Sequence, residues 1–262
     1  MIYNPKLPDD SVNIPQESIV LQALKLTLSL VLIVAIFYGV MVLLVNLIVA
    51  NISPKQEKEL LSYVTFDVNI SNEKSPYLTE IKNKLTACTE IPYDVNIFVS
   101  SEEIANAYAL PGGSIHITKG MLSELTTQNE LAFIIGHELG HFQNKDHLKG
   151  LGHSLVLLSL ALLIGDDYSI LGQTLSAGGA KYSQSAELHA DKVGLELLNC
   201  AYGSVTDATK TFERMGEGHE DWEFFLASHP NFDLRVEKMK EIIEEEKMDV
   251  TKASPVLENI LE

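Results

Sequence analysis

Asn129-Glu130-Leu131-Ala132-Phe133-Ile134-Ile135-Gly136-His137-Glu138-Leu139-Gly140-His141-Phe142-Gln143-Asn144 sets two histidines four residues apart in an apolar helical frame. Residues four apart share a helix face, so His137 and His141 present two imidazoles to one metal ion. Glu138 lies beside them, able to reach a water at the same place. Zinc held in this way polarises a scissile carbonyl and acidifies water, and Glu138 can take that proton and pass it to a leaving amine. Two histidines and a glutamate can fall at this spacing by chance. The apolar neighbours Leu131, Phe133, Ile134, Ile135 and Leu139, with Asn129 or Thr127 to cap the start, set this instance apart from an exposed coincidence.

A catalytic zinc needs a third protein ligand and one open position. Two residues compete for that role. His147 stands where extended H-E-x-x-H-x-x-G-x-x-H zincins place a third histidine, with Asn144 at the glycine position as a residue that tolerates a left-handed turn. Glu187 stands in Tyr182-Ser183-Gln184-Ser185-Ala186-Glu187-Leu188-His189-Ala190-Asp191, where Glu187 and Asp191 share a helix face. A carboxylate four residues from a ligand can accept the second ring N–H of a zinc histidine and fix its tautomer.

Around these motifs, 262 residues suffice for one cored catalytic domain and an appendage. The chain is 46% hydrophobic with a formal charge of -17, too apolar for a disordered protein and too acidic for a nucleic-acid binder. From Leu26 to Ala50 no charge interrupts an apolar run long enough to span a bilayer. The reading is therefore a tail at 1–18, a membrane anchor at 19–50 that contacts lipid, and a zinc metallopeptidase domain at 51–262. Lysines on both sides of the anchor leave its orientation nearly tied, with a slight lean to an extracytoplasmic domain. Alternation at 63–70 predicts a strand, 77–88 a helix, and 95–99 and 114–118 two further strands. Helices are predicted at 121–126, 129–144, 148–164, 183–200, 204–216 and 232–247, with a glycine-rich connector at 165–179. Strands followed by helices indicate an α+β class, mostly helical with a small sheet. Cys88 and Cys200 are expected as plain thiols, a single bridge being the alternative.

Four ordered segments resemble the HtpX and CAAX prenyl protease family of membrane-associated zinc metallopeptidases. They are Asn106-Ala107-Tyr108-Ala109-Leu110-Pro111-Gly112-Gly113, His137 to His141, Glu187-Leu188-His189-Ala190-Asp191, and Ser228-His229-Pro230 with Arg235. The resemblance implies a zincin-like domain in which Glu187 is the third ligand to one Zn2+ per chain, Asp191 its partner, and His229 a catalytic residue near the substrate carbonyl. It also implies that Ser114 to Thr118 forms a cleft-edge strand, with Asn106, Gly112, Gly113, Ser114 and Ile115 meeting a polypeptide substrate. With Glu187 accepted, His147 becomes a bystander. Gln184 stands where the family often has arginine, and one span replaces several, which fits cleavage of soluble or membrane-adjacent polypeptides, as in protein quality control. The rival reading is a membrane-tethered binding or chaperone-like module that retains a structural zinc. A complete Glu138 argues against it, since a structural site needs no general base.

Overall fold

The structure, a computed structural model, describes residues 18–61, 74–163, 182–216, 225 and 228–257. The strand expected at 63–70 and the connector at 165–179 lie outside them. Helix α1, Ile19–Asn51, is long and apolar enough to cross a membrane, with a mean hydropathy of 2.9 in its most apolar stretch. Contacts divide the chain into two units, Met1–Leu44 and Val45–Glu262, so the last turns of α1 fold with the second. Helix α2, Pro54–Leu61, was not marked by the sequence pattern. Ser53 and Gln56 start it reciprocally, the Ser53 N–H donating to Gln56 Oε1 and the Gln56 N–H to Ser53 Oγ. Helix α3, Pro76–Thr86, begins on a Ser75 cap with proline in its first turn and buries Leu78, Ile81 and Leu85.

A three-stranded sheet follows, built from β1 (Asn96–Ser100), β2 (Ala107–Leu110) and β3 (Ser114–Thr118) in the order β1-β3-β2. This corrects the expected cleft edge. Ser114 and Ile115 lie on the central strand, whose backbone is paired on one side with β1 in parallel and on the other with β2 in antiparallel. The Ile115 side chain is in the core. The physical cause is the turn at Gly112 and Gly113, whose φ values of 93° and 91° only glycine adopts cheaply. It folds β2 back along β3 and leaves β2 on the outside of the sheet. One sheet face supplies Ile97, Val99, Ala107, Ala109, Ile115 and Ile117 to the core. On the other, Phe98, His116 and Tyr108 stack across the three strands.

The remaining described helices are α4 (Lys119–Glu124), α5 (Gln128–Gln143), α6 (Asp146–Leu163), α7 (Gln184–Tyr202), α8 (Lys210–Gly216) and α9 (Phe232–Glu245). The helix expected at 204–216 starts only at Lys210, because Asp207 takes a left-handed turn at φ 71°. Thr127 begins α5 with a capping box completed by Glu130. Glu130 also accepts from Arg214 at 2.6 Å. Every residue from Asn129 to Phe142 is buried, as expected for a helix that is apolar on all sides. Burying each Leu, Ile or Phe is worth roughly 1.5–3 kcal/mol, which offsets the cost of carrying two histidines and two glutamates inside. Helix α7 packs closely along α5, where a Cβ added at Gly140 would come within 2.8 Å of the Ala190 Cα.

The cysteines differ from expectation. Cys88, just past α3, and Cys200, in the last turn of α7, form a disulfide across 112 residues of sequence, with Cα atoms 6.1 Å apart. Both helices pack on α5, and that shared support brings together two residues that no local spacing relates.

Candidate metal centre

His137 and His141 project from one face of α5, and α7 brings Glu187 opposite them from its first turn. His229, just before the left-handed Asn231 that opens α9, completes a cluster of four whose potential ligand atoms lie within 4.8 Å of one another. None of the four has any solvent exposure. His137 Nε2 and His141 Nε2 are 3.1 Å apart. Glu187 approaches them at 3.6 and 3.5 Å. His229 Nδ1 lies 3.3 Å from His137 Nε2 and 3.1 Å from Glu187 Oε2.

The protons on these rings are set from behind. His137 Nδ1 faces Asp191 Oδ1 at 3.0 Å, and His141 Nδ1 faces Asp146 Oδ2 at 3.1 Å. Each carboxylate accepts an N–H, so both Nε2 atoms point bare lone pairs inward, at each other and at an anionic carboxylate. Such an arrangement is repulsive without a cation. Tetrahedral donors about 2.0–2.1 Å from zinc stand roughly 3.3–3.4 Å apart, so the separations above fit this ion.

Arg235 braces the cluster. It donates to Asp191 at 2.7 and 2.6 Å and to Glu187 at 2.7 Å, with its guanidinium over the Phe212 ring. Burial raises the Glu187 carboxyl, but His229, Arg235 and His137 outweigh it and hold it at about 2. Glu138 is the opposite case. Burial pushes it up to about 8, with the nearby His229 opposing. The Ala109 N–H of β2 faces its carboxylate too loosely to fill it, no side chain hydrogen-bonds to it, and Oε1 lies 3.8 Å from the unpartnered His229 Nε2. A divalent ion at the cluster would favour the ionised form of Glu138.

Tyr182, the residue before the Ser183 cap of α7, stacks on the His141 ring at 3.9 Å. Its backbone N–H donates to Ser228 O and so ties it to the His229 segment. Neither Tyr182 nor Asp146 follows from a spacing rule. Asp146 comes within reach because Lys145, not Asn144, takes the left-handed turn, at φ 55°. Asn144 instead caps α5 in the right-handed region, its N–H bonded to Gly140 O. The same turn carries His147 away from the cluster to Glu57, 3.2 Å away. Asn106 and the Gly112–Gly113 turn flank β2, which runs beside α5.

Fold and cluster together are those of a zincin-like domain, a small sheet on a buried helix that carries two histidines and a glutamate. The sequence profile of peptidase family M48 matches residues 72–243, and the chain belongs to that family. Among its relatives, the mitochondrial metalloendopeptidase OMA1 of Bos taurus is 27% identical over 187 residues, 64% of this chain and 35% of that protein. The OMA1 metalloendopeptidase of Arabidopsis thaliana is 31% identical over 142 residues, 52% of this chain and 29% of its own length. The metalloprotease LoiP of Escherichia coli is 28% identical over 160 residues, 57% of this chain and 62% of the relative. The chain thus spans between 29% and 47% of the lengths of the OMA1 relatives it matches.

Proposed function

We propose that this chain is a membrane-anchored zinc metalloendopeptidase with one zinc per chain, acting on polypeptides. The observation that carries the reading is Glu138, a fully buried carboxylate that no side chain hydrogen-bonds and that the Ala109 N–H only loosely faces, set beside a cluster of converging lone pairs. A site that served stability alone would gain nothing from leaving such a group unsatisfied. His137, His141 and Glu187 hold the metal, and Asp191 and Asp146 orient the two histidines from behind. Zinc, when bound, supplies Lewis acidity towards a carbonyl oxygen and towards water. Glu138 accepts a proton from the attacking water and delivers it to the amide nitrogen that leaves. His229 stands within 3.8 Å of Glu138 and is placed to donate from Nε2 to the oxyanion that forms. β2 offers its outer edge to an extended peptide, a role moved there from Ser114 to Thr118. The names of the relatives, which include metalloendopeptidases and a metalloprotease, support this reading.

The anchor is α1, and the lipid contact rests on its length and apolar exposure. The disulfide favours an oxidising compartment and therefore an extracytoplasmic domain. A second reading has one observation behind it: His229 Nδ1 sits at ligand-like separations from Glu187 and His137, which would close the site with four protein donors. Two variants of the full chain separate the readings. Glu138→Gln should keep about one zinc and lose proteolysis of an unfolded protein by at least about 100-fold. His229→Ala should keep its zinc while losing turnover. Full activity in the first would remove the mechanism, and loss of metal in the second would make His229 a ligand.

A further inference from the structure

We propose that Glu57 is a positioning residue of the peptidase site, holding the Gly112–Gly113 turn, and with it the β2 edge, where an extended substrate pairs. The inference rests on the peptidase reading above, in which β2 receives the peptide. In sequence, Pro54-Lys55-Gln56-Glu57-Lys58-Glu59 is a charged run of the kind that normally lies in water. Glu57 is nevertheless 1% exposed, the one buried side chain among the described residues of α2. Its Oε1 accepts the Gly112 N–H at 2.7 Å and lies 3.2 Å from His147 Nε2. Its Oε2 accepts the Tyr93 O–H at 2.7 Å. These partners come from three segments far away in sequence.

Burying a carboxylate costs several kcal/mol unless its lone pairs are filled. Here a backbone amide, a phenol and an imidazole fill them, and together they outweigh burial and hold the carboxyl below its usual range. The residue so fixed is no ordinary turn. Gly112 has no side chain that could pack, so its amide is the handle by which the turn is held. That turn sets the register of Leu110 opposite Ser114, and hence where the outer edge of β2 ends.

The second arm leads to the candidate metal centre. His147 follows Asp146, which faces His141, and Asp146 follows Lys145, whose ammonium donates to Val49 O, Ala50 O and Ile52 O. Three consecutive residues therefore tie the end of α1, the partner of a zinc-site histidine, and Glu57 into one network. A shift of about 1 Å at a site of this kind can cost roughly 100-fold in rate.

The test uses the full chain in detergent micelles as wild type, Glu57→Ala, Glu57→Gln and Glu138→Gln. Zinc content, melting midpoint, amide exchange across 107–114, and kcat and KM on a set of quenched-fluorescent peptides drawn from an unfolded protein are measured. Glu57→Ala should retain its zinc, lose exchange protection at Gly112, and show KM raised by about tenfold or more with a smaller change in kcat. Glu57→Gln keeps an acceptor for the Gly112 N–H and should restore most of both. An unchanged KM in Glu57→Ala, or a rise that Glu57→Gln shares in full, would overturn the role. If Glu57→Ala does not fold, Glu57→Asp decides, since its shorter reach should raise KM at full zinc content and a wild-type KM would refute the proposal. Wild type that cleaves nothing, or Glu138→Gln that cleaves fully, would instead refute the peptidase reading itself.

Discussion

His137 Nδ1 has two neighbours, Asp191 Oδ1 at 3.0 Å and Arg235 Nη2 at 3.4 Å. The arginine is a donor already engaged with Asp191 at 2.6 Å, so the ring proton belongs on Nδ1 and points at the carboxylate. Asp191→Asn weakens that acceptor and should lower zinc affinity by roughly 10–100-fold, measured by competition with a chromophoric chelator. Unchanged affinity would assign Asp191 to Arg235 alone. The i, i+4 spacing of His137 and His141, and that of Glu187 and Asp191, made these four residues legible in the sequence. Asp146 was not, because its approach to His141 depends on one left-handed residue, Lys145, that no pattern announces.

At the scale of elements, the centre exists because α5 and α7 touch backbone to backbone. Gly140 faces the Ala190 Cα, and Gly136 faces Gly194 across the same seam. Gly140→Ala would force the helices apart against backbone that cannot yield, so it should destabilise the domain by about 1–3 kcal/mol and weaken zinc binding as Glu187 withdraws. Calorimetry and metal titration of the same variant check both parts, and wild-type values in each would remove the seam from the argument. The strand content was only partly readable. Ala107–Leu110 is two alanines, a tyrosine and a leucine that are all buried, with no apolar–polar alternation to mark a strand. It becomes one by pairing with β3, and that pairing moves the open edge away from Ser114 to Thr118.

For the whole molecule, the Cys88–Cys200 bridge closes a loop of 112 residues that contains the sheet, α5 and the Glu187 end of α7. In the chain-entropy account such a closure is worth on the order of 4–5 kcal/mol. Reduction, or Cys88→Ser, should therefore lower the melting midpoint by roughly 10 °C, and an unmoved midpoint would mean that the bridge does not constrain the unfolded chain. Metal removal acts on the same fold from within. Without a cation the lone pairs of His137 Nε2, His141 Nε2 and the Glu187 carboxylate converge unscreened, so a chelator should lower the midpoint and added zinc should restore it.

The sequence by itself determined the paired histidines and glutamate of α5, the i, i+4 pair of Glu187 and Asp191, the apolar span and the α+β class, because each is written in local patterns of a few residues, while the choice of Glu187 over His147 came from the family resemblance. Tertiary structure alone decided how closely His229 approaches the two histidines and Glu187, that Cys88 meets Cys200, that β2 is an edge and β3 the centre of the described sheet, and that Glu57 is buried under the turn. The physical reason is the same for all four. Each is a contact between segments tens of residues apart, and such contacts follow from how helices and strands pack on α5, which no local spacing encodes.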